Sequence, residues 1–360
     1  MIYIHVPFCK SFCTYCDFYS ETRVCEAGLY ARDVIAEAQA RREEILATSA
    51  LDTIYIGGGT PSVLPPDVLK SIVNALPLQG KEEFTIEVNP EDIVTRGESY
   101  VKELLAMGVS RISMGVQSLD DALLRWMGRR HDSARTIQAA TIIREAGVKN
   151  LSLDVIYGIS YLGDETLAST LEGILALRPE HISAYQLSIE SGSALARMVE
   201  DGRYTEADEE QCRRQYLLIC QRLREAGYRH YEISNWALPG FEAVHNSAYW
   251  KRLPYVGLGP GAHSLRIGRA AAAKDGKSGY EQENSEKEAG GWEEVQVRSW
   301  NSETLSGWTA ESETLNKEQI REEEIMLGLR TAEGTDIDGR RVKLSEEDWF
   351  IADSIIVNYL

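Results

Sequence analysis

Three cysteines near the start of the chain have the types and spacing for metal chemistry. Cys9, Cys13 and Cys16 lie in the run HVPFCKSFCTYCDFYS, spaced Cys-x-x-x-Cys-x-x-Cys. Three thiolates this close can hold three irons of a cubane cluster. The fourth iron is then left for a substrate or cofactor, which makes it the reactive corner. A zinc site is the competing reading, and it needs four tetrahedral ligands. His5 is the nearest candidate for a fourth, but it lies in an apparent strand, and no second Cys-x-x-Cys knuckle exists. Cys212 and Cys220 fall in an apparent helix and read as packed thiols. The spacing favours iron–sulfur.

Other groups stand at strand ends. Gly57-Gly58-Gly59-Thr60-Pro61 closes the second strand. Glycines without Cβ let backbone amides approach a polar ligand. Glu87, Gln117 and Asp154 close later strands. Far along the chain, VHNSAYW brings together His245, Asn246, Tyr249 and Trp250.

The elements that must position these residues alternate. Strand-like runs fall at Ile2–Val6, Thr53–Ile56, Phe84–Val88, Arg111–Val116, Leu151–Tyr157 and His181–Ile189, each followed by a helical pattern. Repeated βα units with short links predict a parallel sheet. Six such strands without a dinucleotide fingerprint predict an α/β fold, a partial (β/α)6 TIM-like barrel over residues 1–227. Residues 228–269 read as a strand and Gly-rich extension closing the barrel. Residues 270–297 read as a flexible polar insert. Residues 298–360 read as a smaller, mainly helical C-terminal domain.

Composition bounds the partners. The chain has 360 residues, 43% of them hydrophobic, with a formal net charge of −18. An acidic balance disfavours nucleic acid as partner. No apolar run is long enough for a membrane helix and no signal peptide is evident, so a soluble, cytoplasmic protein is expected.

These motifs resemble those of the radical S-adenosylmethionine (SAM) superfamily. Within it, Tyr3-Ile4-His5-Val6-Pro7-Phe8-Cys9, Ile86-Glu87-Val88-Asn89-Pro90, Ser113-Met114-Gly115-Val116-Gln117-Ser118 and Leu153-Asp154-Val155-Ile156-Tyr157-Gly158 resemble the coproporphyrinogen III dehydrogenase branch and its HemW-type haem chaperones. The resemblance implies a 4Fe–4S cluster held by Cys9, Cys13 and Cys16. Its open iron would chelate SAM, and one electron would cleave SAM to a 5′-deoxyadenosyl radical. It implies that Tyr3, Tyr15, Gly58, Gly59, Thr60, Glu87, Gln117, Arg129 and Asp154 surround SAM. The Gly257–Ser264 motif would bring His263 to the same pocket. His245, Asn246, Tyr249 and Trp250 match a motif implicated in haem binding.

Two functions remain open by resemblance. One is a haem chaperone that carries haem as cargo to client haem proteins, membrane-associated respiratory enzymes among them. The other is radical decarboxylation of coproporphyrinogen III, or another radical SAM reaction on a tetrapyrrole. Phe18 stands where the dehydrogenases carry a further cysteine, which favours the chaperone. An electron donor for the cluster and a homodimer are also compatible with the resemblance. The C-terminal part is shorter than the branch leads one to expect.

Overall fold

Along the first six strands apolar residues alternate with polar ones, and the structure turns that alternation into two faces. It is a computed structural model that describes residues 1–48, 50–271 and 292–360. The strands are β1 (Ile2–Val6), β2 (Thr53–Gly58), β3 (Glu83–Val88), β4 (Arg111–Gln117), β5 (Leu151–Tyr157) and β6 (His181–Gln186). Each pairs in parallel with the next. One face carries Ile54, Ile56, Phe84, Ile86, Ile112, Met114, Leu153 and Ile182, all in the buried apolar core.

Among the described residues, nine helices follow these strands in the chain: α1 (Ala27–Ala40), α2 (Arg42–Thr48), α3 (Pro66–Ala75), α4 (Pro90–Ala106), α5 (Asp121–Trp126), α6 (Ser133–Glu145), α7 (Asp164–Ala176), α8 (Ala194–Glu200) and α9 (Glu209–Glu225). Five of them start at capping side chains. Asn89, Asp120, Asp132, Ser193 and Asp208 each accept a backbone N–H from the first turn, where four amides would otherwise lack partners.

The other face of the sheet is polar. Tyr3, Tyr55, Thr85, Glu87, Arg111, Ser113, Asp154, His181 and Ser183 occupy the alternate positions. A barrel of this kind is ordinarily packed inside with branched apolar residues. Here the interior is a cavity of about 580 Å³.

Among the described residues the sheet is a partial barrel of nine strands, ordered β7-β8-β6-β5-β4-β3-β2-β1-β9. β7 (Arg229–Glu232) and β8 (Asn235–Ala237) extend it antiparallel beyond β6, and β9 (Val256–Leu258) lies parallel to β1. Between them, α10 (Val244–Trp250) packs at the N-terminal ends of the strands. The Glu83 carboxylate accepts the backbone N–H of Val244 (2.9 Å) and of His245 (3.2 Å). A carboxylate at the start of β3 thus holds the positive end of this helix against the barrel floor.

β10 (His263–Ala271), β11 (Trp292–Asn301) and β12 (Ala310–Leu315) form a separate antiparallel sheet. The ends of the expected polar insert, 270–271 and 292–297, are therefore paired strand, and the rest of it, 272–291, lies outside the described residues. After β12 come α11 (Lys317–Gly328), the hairpin β13 (Thr335–Ile337) and β14 (Arg340–Val342), and α12 (Ala352–Ile356). The region 298–360 thus contributes strands as well as the expected helices. It docks on β7 and α9: Ile233 N–H donates to Arg330 O (2.9 Å), and the Tyr216 hydroxyl donates to Glu346 O (2.6 Å). Among the described residues, no helix is long and apolar enough to cross a membrane.

Candidate functional site

The cysteine loop leaves β1 at Val6 and folds over the C-terminal ends of the strands. Backbone bonds fix it at several points. Cys9 N–H donates to Glu21 O (2.9 Å), Thr14 N–H to Met127 O (3.0 Å) and Thr60 N–H to Phe8 O (2.7 Å). A buried ion cluster fixes it again. Asp92 on α4 is fully buried and takes Lys10 (2.9 Å), Arg130 (2.8 Å) and the Ser62 hydroxyl (2.9 Å). Burial alone would raise its pKa, but Arg130 and Lys10 outweigh that and hold the carboxyl below its usual range. Lys10 lies between Cys9 and Cys13, so this cluster ties the loop directly to the barrel.

Cys9, Cys13 and Cys16 are free thiols, partly exposed, and all three line the cavity. The Cys9 thiol lies 3.3 Å from the Thr60 hydroxyl, and Arg129 donates to Cys13 Sγ (3.4 Å). The glycine turn after β2 closes tightly on the loop. Gly58 adopts φ 106°, a left-handed conformation. A Cβ on Gly59 would come within 2.8 Å of Phe8 O and 3.1 Å of Cys9 Sγ. Only glycine brings this backbone so close to the thiol.

Below this rim the carboxylates are held by hydroxyls. Glu87 accepts from the Tyr55 hydroxyl (2.7 Å) and Gly58 N–H (3.1 Å). Burial pushes its pKa up to about 7, against the pull of the Tyr55 donor. Asp154 accepts from the Ser113 hydroxyl (3.2 Å), and burial raises its pKa as well. Gln117 ends β4 at φ 67°, an uncommon conformation for a residue with a side chain. Arg129 donates to Gly115 O (2.6 Å), and its Nε is buried without a partner among the described residues.

Of the residues singled out in the sequence, Tyr15, Gly58, Gly59, Thr60, Glu87, Gln117, Arg129 and Asp154 line this cavity with the three cysteines. Tyr3 does not. It sits beside Tyr55, with ring centroids 6.1 Å apart, and its hydroxyl meets His5 Nδ1 at 3.1 Å. His263 does not either. It begins β10, exposed, stacked 6.2 Å from Trp300.

The His245 motif lies at the opposite end of the barrel. His245 is fully buried, and both ring nitrogens are engaged, Nδ1 with the Thr53 hydroxyl (2.8 Å) and Nε2 with the Tyr249 hydroxyl (2.9 Å). Burial lowers its pKa to about 3, so the ring is neutral. Of the four motif residues, only Asn246 lines the cavity, from below.

Sequence reasoning missed Tyr55, Arg111, Ser113, Ser183 and Tyr185, which also line the cavity. Their signal was present. In Arg111-Ile112-Ser113-Met114-Gly115-Val116-Gln117 every second residue is non-hydrophobic, a half-polar strand rather than a continuous apolar run.

Residues 3–174 match the radical SAM superfamily. The haem chaperone HemW of Lactococcus lactis is 36% identical over 274 residues, covering 74% of this chain and 69% of that protein. This chain belongs to the HemW family of radical SAM proteins. The HemW of Synechocystis is 33% identical over 343 residues, covering 92% of this chain and 78% of its own. The Escherichia coli coproporphyrinogen III oxidase HemN shares the fold, with a TM-score of 0.70 at 19% identity over 92% of this chain and 75% of that one. The radical SAM family implies a 4Fe–4S cluster and SAM. The cavity suits both: three free thiols at one rim, a glycine backbone that a Cβ would obstruct, and an orphaned guanidinium nitrogen pointing to a missing acceptor.

Proposed function

We propose that this protein is a haem chaperone, which binds haem and delivers it to client haem proteins. The observation that carries the reading is the likeness to HemW chaperones, which in the Synechocystis protein extends over 92% of this chain. Phe18 supports it. At the place where the dehydrogenases carry a further cysteine, this chain presents an aromatic ring, 63% exposed at the cavity rim. Phe12, 59% exposed, flanks the same rim. Exposed aromatic rings next to a cavity suit a flat apolar macrocycle. His245 has no free nitrogen to offer as an axial ligand in this fold, so the haem reading rests on the rim and not on that motif.

In this reading Cys9, Cys13 and Cys16 hold the cluster. Glu87 and Gln117 receive the ammonium and ribose hydroxyls of SAM, Arg129 its carboxylate, and Gly58–Thr60 its methionine end. When bound, the cluster and SAM supply one-electron chemistry at the rim. The protein's share is to orient SAM through these contacts. Client haem proteins and an electron donor are the partners this function requires.

The test uses anaerobically purified protein with a reconstituted cluster. Haem is titrated while the Soret band is followed, and coproporphyrinogen III with SAM is assayed separately for vinyl products. A stable haem complex without vinyl product is expected. Catalytic formation of vinyl product with no haem complex would overturn the reading.

A further inference from the structure

Arg111 begins β4 at the barrel floor, 1% exposed, with its side chain on the cavity wall. Its Nε has no partner, and its guanidinium forms no hydrogen bond or ion pair among the described residues. A buried cation without a contact partner is costly, and natural proteins rarely leave one. Glu87 and Asp154 feel its charge, which pulls both their pKa values down, but no group around it bonds to it. Glu87 is engaged by Tyr55 and Gly58, and Asp154 by Ser113. Glu83, the other floor carboxylate, is taken by the amides of α10 and the Thr85 hydroxyl. His181 and His245 are both neutral, and each has both ring nitrogens paired. Asn246, half-buried, enters the cavity from α10, and its side-chain amide has no hydrogen bond among the described residues.

We propose that the barrel floor, beneath the rim that holds Cys9 to Cys16, is a separate seat for a carboxylate group, with Arg111 as its bidentate donor and Asn246 as its second donor. A guanidinium presents two parallel N–H groups that match the two oxygens of a carboxylate, and an amide N–H suits either oxygen from the side. The seat has a direction of entry. Helix α10 closes it from below, so the ligand arrives past Glu87, Gln117 and Arg129. A molecule bound at that upper level then covers it, and the two occupants load in order, carboxylate first. The carboxylate belongs either to a free small acid or to a propionate arm of haem. The seat stands on its own geometry, so failure of the haem reading would leave it intact.

The test measures binding of ¹³C-labelled propionate to cluster-loaded protein by NMR. Saturable binding at one site is expected, with exchange slowed when SAM is added afterwards. Arg111→Gln should weaken it roughly tenfold or more, Arg111→Lys should weaken it by loss of the fork, and Asn246→Ala should weaken it several-fold. Cluster absorbance should be unchanged in each. Haem and its dimethyl ester distinguish the sources. Competition by haem alone assigns the carboxylate to a propionate arm, and competition by neither assigns it to a free acid. No saturable propionate binding by the wild-type protein would overturn the proposal. So would undiminished binding by Arg111→Lys and Asn246→Ala, the two variants that keep the charge balance of the core.

Discussion

The two ends of the barrel are built on opposite plans. At the rim, binding groups are left available: three thiols free of any disulfide, and an Arg129 Nε with no partner among the described residues. At the floor, Arg111 and Asn246 aside, polar groups are matched. His245 joins Thr53 to Tyr249, His181 joins Ser152 to Tyr231, and Glu83 caps α10. Unmatched groups at the rim cost stability and create binding capacity, while matched groups at the floor hold the strand ends together. The same residue type therefore means different things at the two ends. A histidine in a haem-like motif serves as a structural tie because it lies at the floor.

The largest test of this contrast is removal of Cys9, Cys13 and Cys16 together. Alanine at all three should abolish the charge-transfer absorption of the reconstituted protein while leaving its far-UV circular dichroism intact, because the loop is anchored by other bonds. A fold that melts with the thiols would break the contrast at the rim. The next test is at the floor. His245→Ala leaves the Thr53 and Tyr249 hydroxyls buried without their partner, and each such group costs about 1–3 kcal/mol. Denaturant unfolding should show a loss of that order, with haem affinity unchanged. Lost haem affinity in a fully stable variant would return His245 to a binding role.

Gly59→Ala should act in the reverse sense. Its Cβ meets the Phe8 carbonyl and Cys9 Sγ, so cluster uptake should fall roughly tenfold with a smaller change in melting temperature. Iron content and calorimetry measure the two separately. The smallest expected effect is the pH response of Glu87. Burial raises its pKa from 4.5 to about 7 in the folded protein. Its contribution to stability is therefore present below about pH 4.5 and lost as pH rises through about 7. SAM binding should show the opposite slope, weakening as pH falls through about 7 and the carboxyl takes a proton. Glu87→Gln should flatten both curves, with the similarly shifted Glu232 retaining its own share of the stability slope.

Much of this was legible in the sequence, for definite reasons. Ile2–Val6 and Leu151–Tyr157 form the strands that their patterns predict, and the other four barrel strands differ from expectation only at their ends. Cys9, Cys13 and Cys16 meet Gly58–Thr60 because β1 and β2 are neighbours in a parallel sheet, where equivalent strand ends come together. The position of His245 was not legible. Nothing in VHNSAYW indicates that a carboxylate 162 residues earlier, Glu83, will hold it at the floor. His263 failed for a similar reason. The Gly-rich motif reads as one loop, yet Gly257 and Leu258 pair with β1 while His263 starts a different sheet. Tertiary pairing overrides local pattern at such switch points.

The anchoring of Lys10 to Asp92 bears on what oxygen could do to a bound cluster. Oxygen strips iron from exposed clusters, and a loop shaped only by its metal would then collapse and bury or cross-link its thiols. Here Arg130 and Lys10 grip a carboxylate that never meets solvent, so the protein itself, and not the metal alone, shapes the loop. Loss of a cluster would then leave the mould in place, and a fresh one could be fitted without refolding the chain.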